Sequence, residues 1–130
     1  MSQLEKAREM FKKDIYATEV SGIEIEEVAE GYARVSLVLD RRHRNAVGNV
    51  MGGVMYTIAD FAFAVATNLS GNMTVTVSAD IQYLSATKGS ILYGETKLIK
   101  DGKRNCFYQV YITDDMDKDI ALVTICGAHI

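Results

Sequence analysis

The 130-residue chain contains no proline and no tryptophan. Its turns must therefore be made by Gly, Asn, Asp and Ser. Cysteine is scarce: Cys106 and Cys126 both sit inside apolar runs. Two thiols cannot staple a disulfide scaffold, and they read as buried, inert groups of a reduced interior. The two histidines, His43 and His129, lie far apart with no Cys or His cluster beside them. No zinc ligand set is present, so no metal is expected. Positive charge is short as well, with 14 basic against 17 acidic residues and a net charge of -3. Nucleic-acid binders need a cationic surplus to displace counterions, so no nucleic-acid partner is expected. No linker, repeat or low-complexity tract divides the chain, which reads as one domain over residues 1–130. The first residues carry no secretory leader pattern, so a cytoplasmic location is expected.

The longest apolar stretch runs from Val50 to Leu69. It has the length of a membrane span. Gly52-Gly53 opens it, however, and Asp60 interrupts its middle. A carboxylate at mid-bilayer costs about 2.5–3.5 kcal/mol even on lenient scales. The stretch is expected to be a buried helix, with no membrane partner.

Around that helix the periodicity alternates between three-to-four and two. Leu4, Ala7, Met10, Phe11 and Ile15 recur at helical steps, which predicts a helix over Ser2–Ile15. Ile23–Val28 and Tyr32–Leu39 alternate apolar and polar residues about Gly31, which predicts a hairpin. Asp40–Asn49 is a polar, basic loop. Helix Gly52–Leu69 ends at Ser70-Gly71-Asn72. Strands then follow at Thr74–Leu84, Ile91–Ile99, Cys106–Thr113 and Ile120–Ile130, with Asp101-Gly102 as a hairpin turn. In the first of them, strict alternation puts Val75, Val77, Ala79, Ile81 and Tyr83 on one face and Thr76, Ser78, Asp80 and Gln82 on the other. The order predicts an α+β fold, an antiparallel sheet curled around one long helix that it covers on all sides. A sheet this short leaves an edge or a face open, so self-association is expected.

Between Arg44 and Asp80 the single charged side chain is Asp60. A lone carboxylate in such a run is expected to be buried, at a cost that hydrogen bonds or function must justify. It either braces neighbouring backbone or does chemistry. Two glycines at the helix start leave the first N–H groups bare, where the helix dipole favours an anion or a polarised carbonyl. Glycine there also permits close packing. Asn45, in the preceding loop, can donate and accept hydrogen bonds or simply form a turn.

Read together, Asn45-Ala-Val-Gly48-Asn-Val-Met51-Gly52-Gly53, the continuation through Ala59-Asp60 to Ala66-Thr-Asn68, and Val77-Ser78-Ala79-Asp80-Ile81-Gln82-Tyr83 resemble hotdog-fold acyl-CoA thioesterases of the phenylacetyl-CoA type. The resemblance implies a hotdog fold and hydrolysis of an acyl- or aroyl-CoA thioester. It implies that Asp60 is base or nucleophile and that the Gly53 amide, with Gly52, polarises the thioester carbonyl. It further implies that Asn45 positions water or thioester and that Ser78 assists the carboxylate. Such sites form between two subunits, so a homodimer or a dimer of dimers, a homotetramer, is implied. No cofactor is implied beyond the coenzyme A of the substrate. Met51 stands where the family usually has His, and a thioether moves no protons; it can only line an acyl pocket. Gly48, Met51 and Gly52 are candidate substrate contacts, and Lys88 and Arg104 are candidate phosphate contacts. The cluster Arg41-Arg42-His43-Arg44 either attracts those phosphates or is a solvated loop. Two other readings stand beside the enzyme. One is a non-catalytic acyl-CoA binder, suggested by Met51; the other is a structural homodimer, against which the unpaired Asp60 argues.

Overall fold

The computed structural model describes residues 1–130. Helix α1, Gln3–Phe11, starts where the Ser2 hydroxyl accepts from the Glu5 amide at 3.1 Å. It buries Ala7 and Phe11, and Phe11 meets Phe61 edge-on at 6.0 Å between ring centres. The Arg8 guanidinium ties it to the sheet by two hydrogen bonds to the Ile25 carbonyl. The helix is shorter than its apolar period suggests. After Phe11 the chain rewinds into a wider π-turn, Tyr16–Val20, which presents Ile15, Tyr16 and Val20 to solvent.

Strands β1 (Ile23–Ala29) and β2 (Tyr32–Val38) pair as the expected hairpin. Helix α2 follows at Gly52–Asn68, then β3 (Thr74–Tyr83), β4 (Ile91–Asp101), β5 (Asn105–Asp114) and β6 (Asp119–His129). All six strands form one sheet in the order β1-β2-β4-β5-β6-β3, and every pairing is antiparallel. This is the expected α+β architecture, with α2 seated on the inner face of the sheet. Two glycines let the helix sit close. A Cβ on Gly94 would lie 2.6 Å from Ile58 Cγ2, and one on Gly127 would lie 2.6 Å from Phe63 Cζ. Met55, Ile58, Ala59, Phe61, Ala62, Phe63, Val65 and Ala66 fill the core from α2.

Two expectations are corrected here. The sheet does not enclose α2 on all sides: Gly53, Tyr56 and Asp60, spaced i, i+3 and i+7, form an exposed stripe. Strand β3 does not alternate strictly. Its ladder with β6 slips between Thr76 and Ser78, and the extra residue reverses the facing of the first half. Thr74 and Thr76 pair with His129 and Gly127, on the face that Ala79, Ile81 and Tyr83 share after the slip. Strand β3 is also an edge, bonded to β6 alone. Its Val75 and Val77 are consequently exposed.

Candidate active site

The loop that delivers the chain to α2 is held by its own polar groups. The Asp40 carboxylate accepts from the Arg42 amide at 2.9 Å and starts a single 3-10 turn, Arg41–His43. His43 is 3% exposed. Its Nδ1 accepts from the Asp40 amide at 3.0 Å, and its Nε2 donates to the Ser21 carbonyl at 2.7 Å. Arg42 donates to Asp40 and to the Val20 carbonyl at 2.9 Å, and Arg44 donates to the Gly48 carbonyl. Most of the basic cluster therefore braces this loop.

Asn45 folds the next turn. Its Oδ1 accepts from the amides of Val47 and Asn49, both at 3.1 Å. Its side-chain NH2 donates to no group of the chain and is free for a ligand. Gly48 turns the loop with φ at +86°, the left-handed conformation that favours glycine. Nothing stands within 4 Å of where its Cβ would be.

Met51 is the N-cap of α2, and no side chain caps that end. The amides of Gly52 and Gly53 have no acceptor in the chain, so two donors and the positive end of the helix dipole face outward. The glycines differ in their surroundings. The Tyr83 hydroxyl donates to the Gly52 carbonyl at 2.9 Å. A Cβ on Gly52 would lie 2.9 Å from that oxygen, whereas one on Gly53 would meet only the Met51 terminal methyl, at 3.3 Å. Tyr83 reads as sheet packing in the sequence; nothing there signals that it fixes the helix start.

Asp60 lies seven residues beyond Gly53 on the open stripe, about 10 Å along the axis at 1.5 Å per residue. Contrary to expectation it is exposed in the single chain, and it makes no hydrogen bond or ion pair. Its pKa is nevertheless raised, first because the protein around it displaces water and second because of the Asp14 charge. Ser78 is exposed on β3. It pairs with Cys126, next to the inward-facing Gly127, so it sits on the sheet face away from α2 and does not assist Asp60 within one chain. Lys88 is exposed in the β3–β4 loop, and Arg104 is exposed in the β4–β5 turn. The Arg104 carbonyl accepts from the His129 amide at 2.8 Å, and Thr74, the partner of His129, is tied to Asn68 at the last turn of α2. Arg104 thus belongs to the opposite end of α2 from Gly52. Both thiols are free; burial pushes the Cys106 pKa up, and the Asp101 charge adds to it.

Two clefts flank the start of α2. One, of about 490 Å³, includes Asn45, Asn49, Gly52, Tyr83 and Ser85. The other, of about 460 Å³, includes Tyr16, Val20, Met51, Gly53, Val54 and Tyr56. Neither reaches Asp60. The arrangement supplies two amide donors for a carbonyl oxygen, and a carboxylate too distant along the same helix to act on that carbonyl. No group of three or more metal-ligating side chains is present, and no helix is long and apolar enough to cross a membrane.

Residues 47–121 match the family model described as the thioesterase superfamily. A protein of Archaeoglobus fulgidus that bears an esterase name is 31% identical over 92% of this chain and 78% of its own length. The acyl-coenzyme A thioesterase PaaI of Escherichia coli is 29% identical over 91% of this chain and 84% of its own. A solved structure of the E. coli PaaI protein from the phenylacetic acid degradation operon superposes with a TM-score of 0.89 at 25% identity, covering 99% of this chain and 96% of that one. The matched residues contain the whole of α2 and its two glycines as well as most of the sheet, and the chain belongs to the thioesterase superfamily, as a thioester hydrolase of the hotdog fold.

Proposed function

We propose that this chain hydrolyses an acyl- or aroyl-CoA thioester to the free acid and coenzyme A. The observation that carries the reading is the pair of free Gly52 and Gly53 amides at the start of α2, with Gly53 on the same open stripe as the unpaired Asp60. The thioester carbonyl oxygen accepts from the Gly53 amide, with Gly52 beside it, and gains the oxyanion stabilisation that acyl transfer requires. A carboxylate then acts on the carbonyl carbon, as base on a water or as nucleophile. As base it takes the water proton; hydroxide adds to the carbon, the C–S bond breaks, and the coenzyme A thiolate leaves to be protonated. Because about 10 Å separates the two groups along one helix, the carboxylate is Asp60 of a second copy.

A homodimer, or a dimer of dimers, is the assembly this needs, and the unpaired β3 edge with exposed Val75 and Val77 supports it. Ser78 lies on that edge strand and assists only from such a contact. Asn45 offers its free NH2 to the water or the thioester. In this reading Lys88, exposed in the loop beyond Ser85, meets the coenzyme A phosphates; Arg104 does so only across the interface. No cofactor takes part beyond the coenzyme A of the substrate. A cytoplasmic enzyme would meet this substrate.

The test is thiol release from a panel of acyl-CoAs. Turnover that falls by a factor of roughly 10² or more in Asp60→Asn supports the role; unchanged turnover removes it. Met51 favours a second reading, a non-catalytic acyl-CoA binder. Tight binding by calorimetry without turnover at any chain length would select that reading.

A further inference from the structure

The tyrosine that closes β3 touches α2 where a helix needs no partner. At a helix start the stranded groups are the N–H donors, while the first carbonyls are used within the helix. Tyr83 nonetheless donates its hydroxyl to the Gly52 carbonyl at 2.9 Å. The bond relieves no stranded group, and no side chain caps the amides at this end. Its reach is set by the sheet. Tyr83 pairs with Ala121 on β6, and the Leu84 and Ser85 amides that follow it both donate to the Ile120 carbonyl, at 2.8 and 3.2 Å. Ile120 and Ala121 are buried core residues. The phenol is thus carried on a strand end pinned to the core. It lies so close over Gly52 that a Cβ there would stand 2.9 Å from the hydroxyl oxygen and 3.0 Å from Cζ.

The Gly52 carbonyl and the Gly53 N–H are the two ends of one planar peptide unit. Holding the oxygen therefore fixes the direction in which the N–H points. Resonance also couples them: a hydrogen bond to the oxygen draws electron density out of the unit and leaves the N–H more positive. We propose that Tyr83 is a positioning residue for thioester hydrolysis, its hydroxyl aiming the Gly53 N–H at the thioester oxygen and strengthening it as a donor. The inference rests on the thioesterase reading above. The chain of bonds runs from the thioester oxygen through the Gly53 N–H and the Gly52 carbonyl to the phenol, and each bond polarises the next. The gain grows with the charge on that oxygen, so it belongs to the transition state more than to the bound thioester and shows in kcat rather than in KM.

The experiment uses Tyr83→Phe, which keeps the ring over Gly52 and removes only the hydroxyl. With the best substrate of an acyl-CoA panel, kcat should fall about three- to tenfold, a fraction of the roughly 10²–10³ that loss of a whole oxyanion donor costs. KM should stay within about twofold. Placing 3-fluorotyrosine at position 83, a more acidic donor, should restore kcat to the wild-type level or above at a pH where its hydroxyl stays protonated. The amide itself is read by nuclear magnetic resonance of protein labelled with [15N]glycine, the Gly53 resonance being the one whose loss marks Gly53→Ala. Its nitrogen should move upfield in Tyr83→Phe, while glycines at the far end of the sheet, Gly31 and Gly102, stay in place. Unchanged kcat in Tyr83→Phe, a loss confined to KM, a 3-fluorotyrosine protein no faster than Tyr83→Phe, or an unmoved Gly53 resonance each overturns the proposal. The two readings fail differently. A wild type that hydrolyses no acyl-CoA brings down the thioesterase reading and the proposal with it; an active wild type whose Gly53 resonance ignores Tyr83→Phe brings down the proposal alone.

Discussion

Two neighbouring glycines allow the donor at the start of α2 to be tested without disturbing the fold. At Gly53 an added methyl meets only the end of the Met51 side chain, at 3.3 Å, and that flexible chain can swing aside. Gly→Ala at a helical position then stabilises by about 0.4–1 kcal/mol by restricting the unfolded chain. For a domain of this size that is roughly 1–6 °C in Tm. The same methyl adds bulk beside the amide that, in the proposed reaction, the carbonyl approaches; where it keeps the oxygen from that donor, the loss is about 10²–10³ in kcat. Gly53→Ala should therefore be a stable protein with poor turnover. At Gly52 the methyl would lie 2.9 Å from the Tyr83 hydroxyl oxygen and 3.0 Å from its ring carbon. Tyr83 must then leave its hydrogen bond, worth about 0.5–1.5 kcal/mol, which cancels or exceeds the gain. Gly52→Ala should have a flat or lowered Tm. Differential scanning calorimetry and a thiol-release assay read both quantities. A Gly53→Ala protein with undiminished kcat/KM would show that the amide does not hold the carbonyl; one with a lowered Tm would show that the space beside Met51 is not there.

Further outcomes concern charge and packing. The Asp60 pKa is raised by desolvation and then by Asp14; with the ionised carboxylate as the active form, as proposed above, activity should fall as pH drops through that pKa, and Asp14→Asn should move this acid limb of kcat/KM to lower pH, while a limb that stays in place refutes the coupling. A raised carboxyl pKa means stability present below the ordinary value of 3.8 and lost as pH rises through the folded value, so Asp60→Asn should raise the urea midpoint at pH 7. Asp114 is 3% exposed; burial opposes its charge, but hydrogen bonds from the Thr87 hydroxyl and the Lys118 and Met116 amides outweigh this and lower its pKa. Its contribution is present above 3.8 and lost as pH falls through the lower folded value. Asp114→Ala should cost about 1–3 kcal/mol at pH 7, with the gap from wild type closing in acid. Gly127→Ala drives a methyl toward Phe63, Cys106 and Thr74 at once, and denaturant unfolding should show a loss of about 1–3 kcal/mol.

The elements were legible where one physical rule governed the residues. Alternation about Gly31 gave the β1–β2 hairpin, and an unbroken apolar run opened by two glycines gave α2. Legibility ended where a second chain segment decides the outcome. Asp60 reads as buried because every near neighbour in sequence is apolar or small, yet no strand crosses its side of the helix. Val77 fits an alternating pattern in either phase, so the slip that turns Val75 outward leaves no trace in composition. Tyr16 and Val20 lie beyond the helix expected over Ser2–Ile15, and a π-turn has no periodic signature over five residues that would mark them. Arg104 is a surface cation in a turn, and only the strand order reveals at which end of α2 that turn lies. The amides at the helix start needed no tertiary knowledge, since Gly-Gly before an apolar run exposes them by itself.

The Tyr83 hydroxyl carries a consequence for the living concentration of the protein. It joins the last residue of an edge strand to the first carbonyl of the central helix, so whatever steadies that edge also steadies the donors one bond away. Activity per chain should then rise with protein concentration and fade on dilution, making the enzyme a gauge of its own abundance.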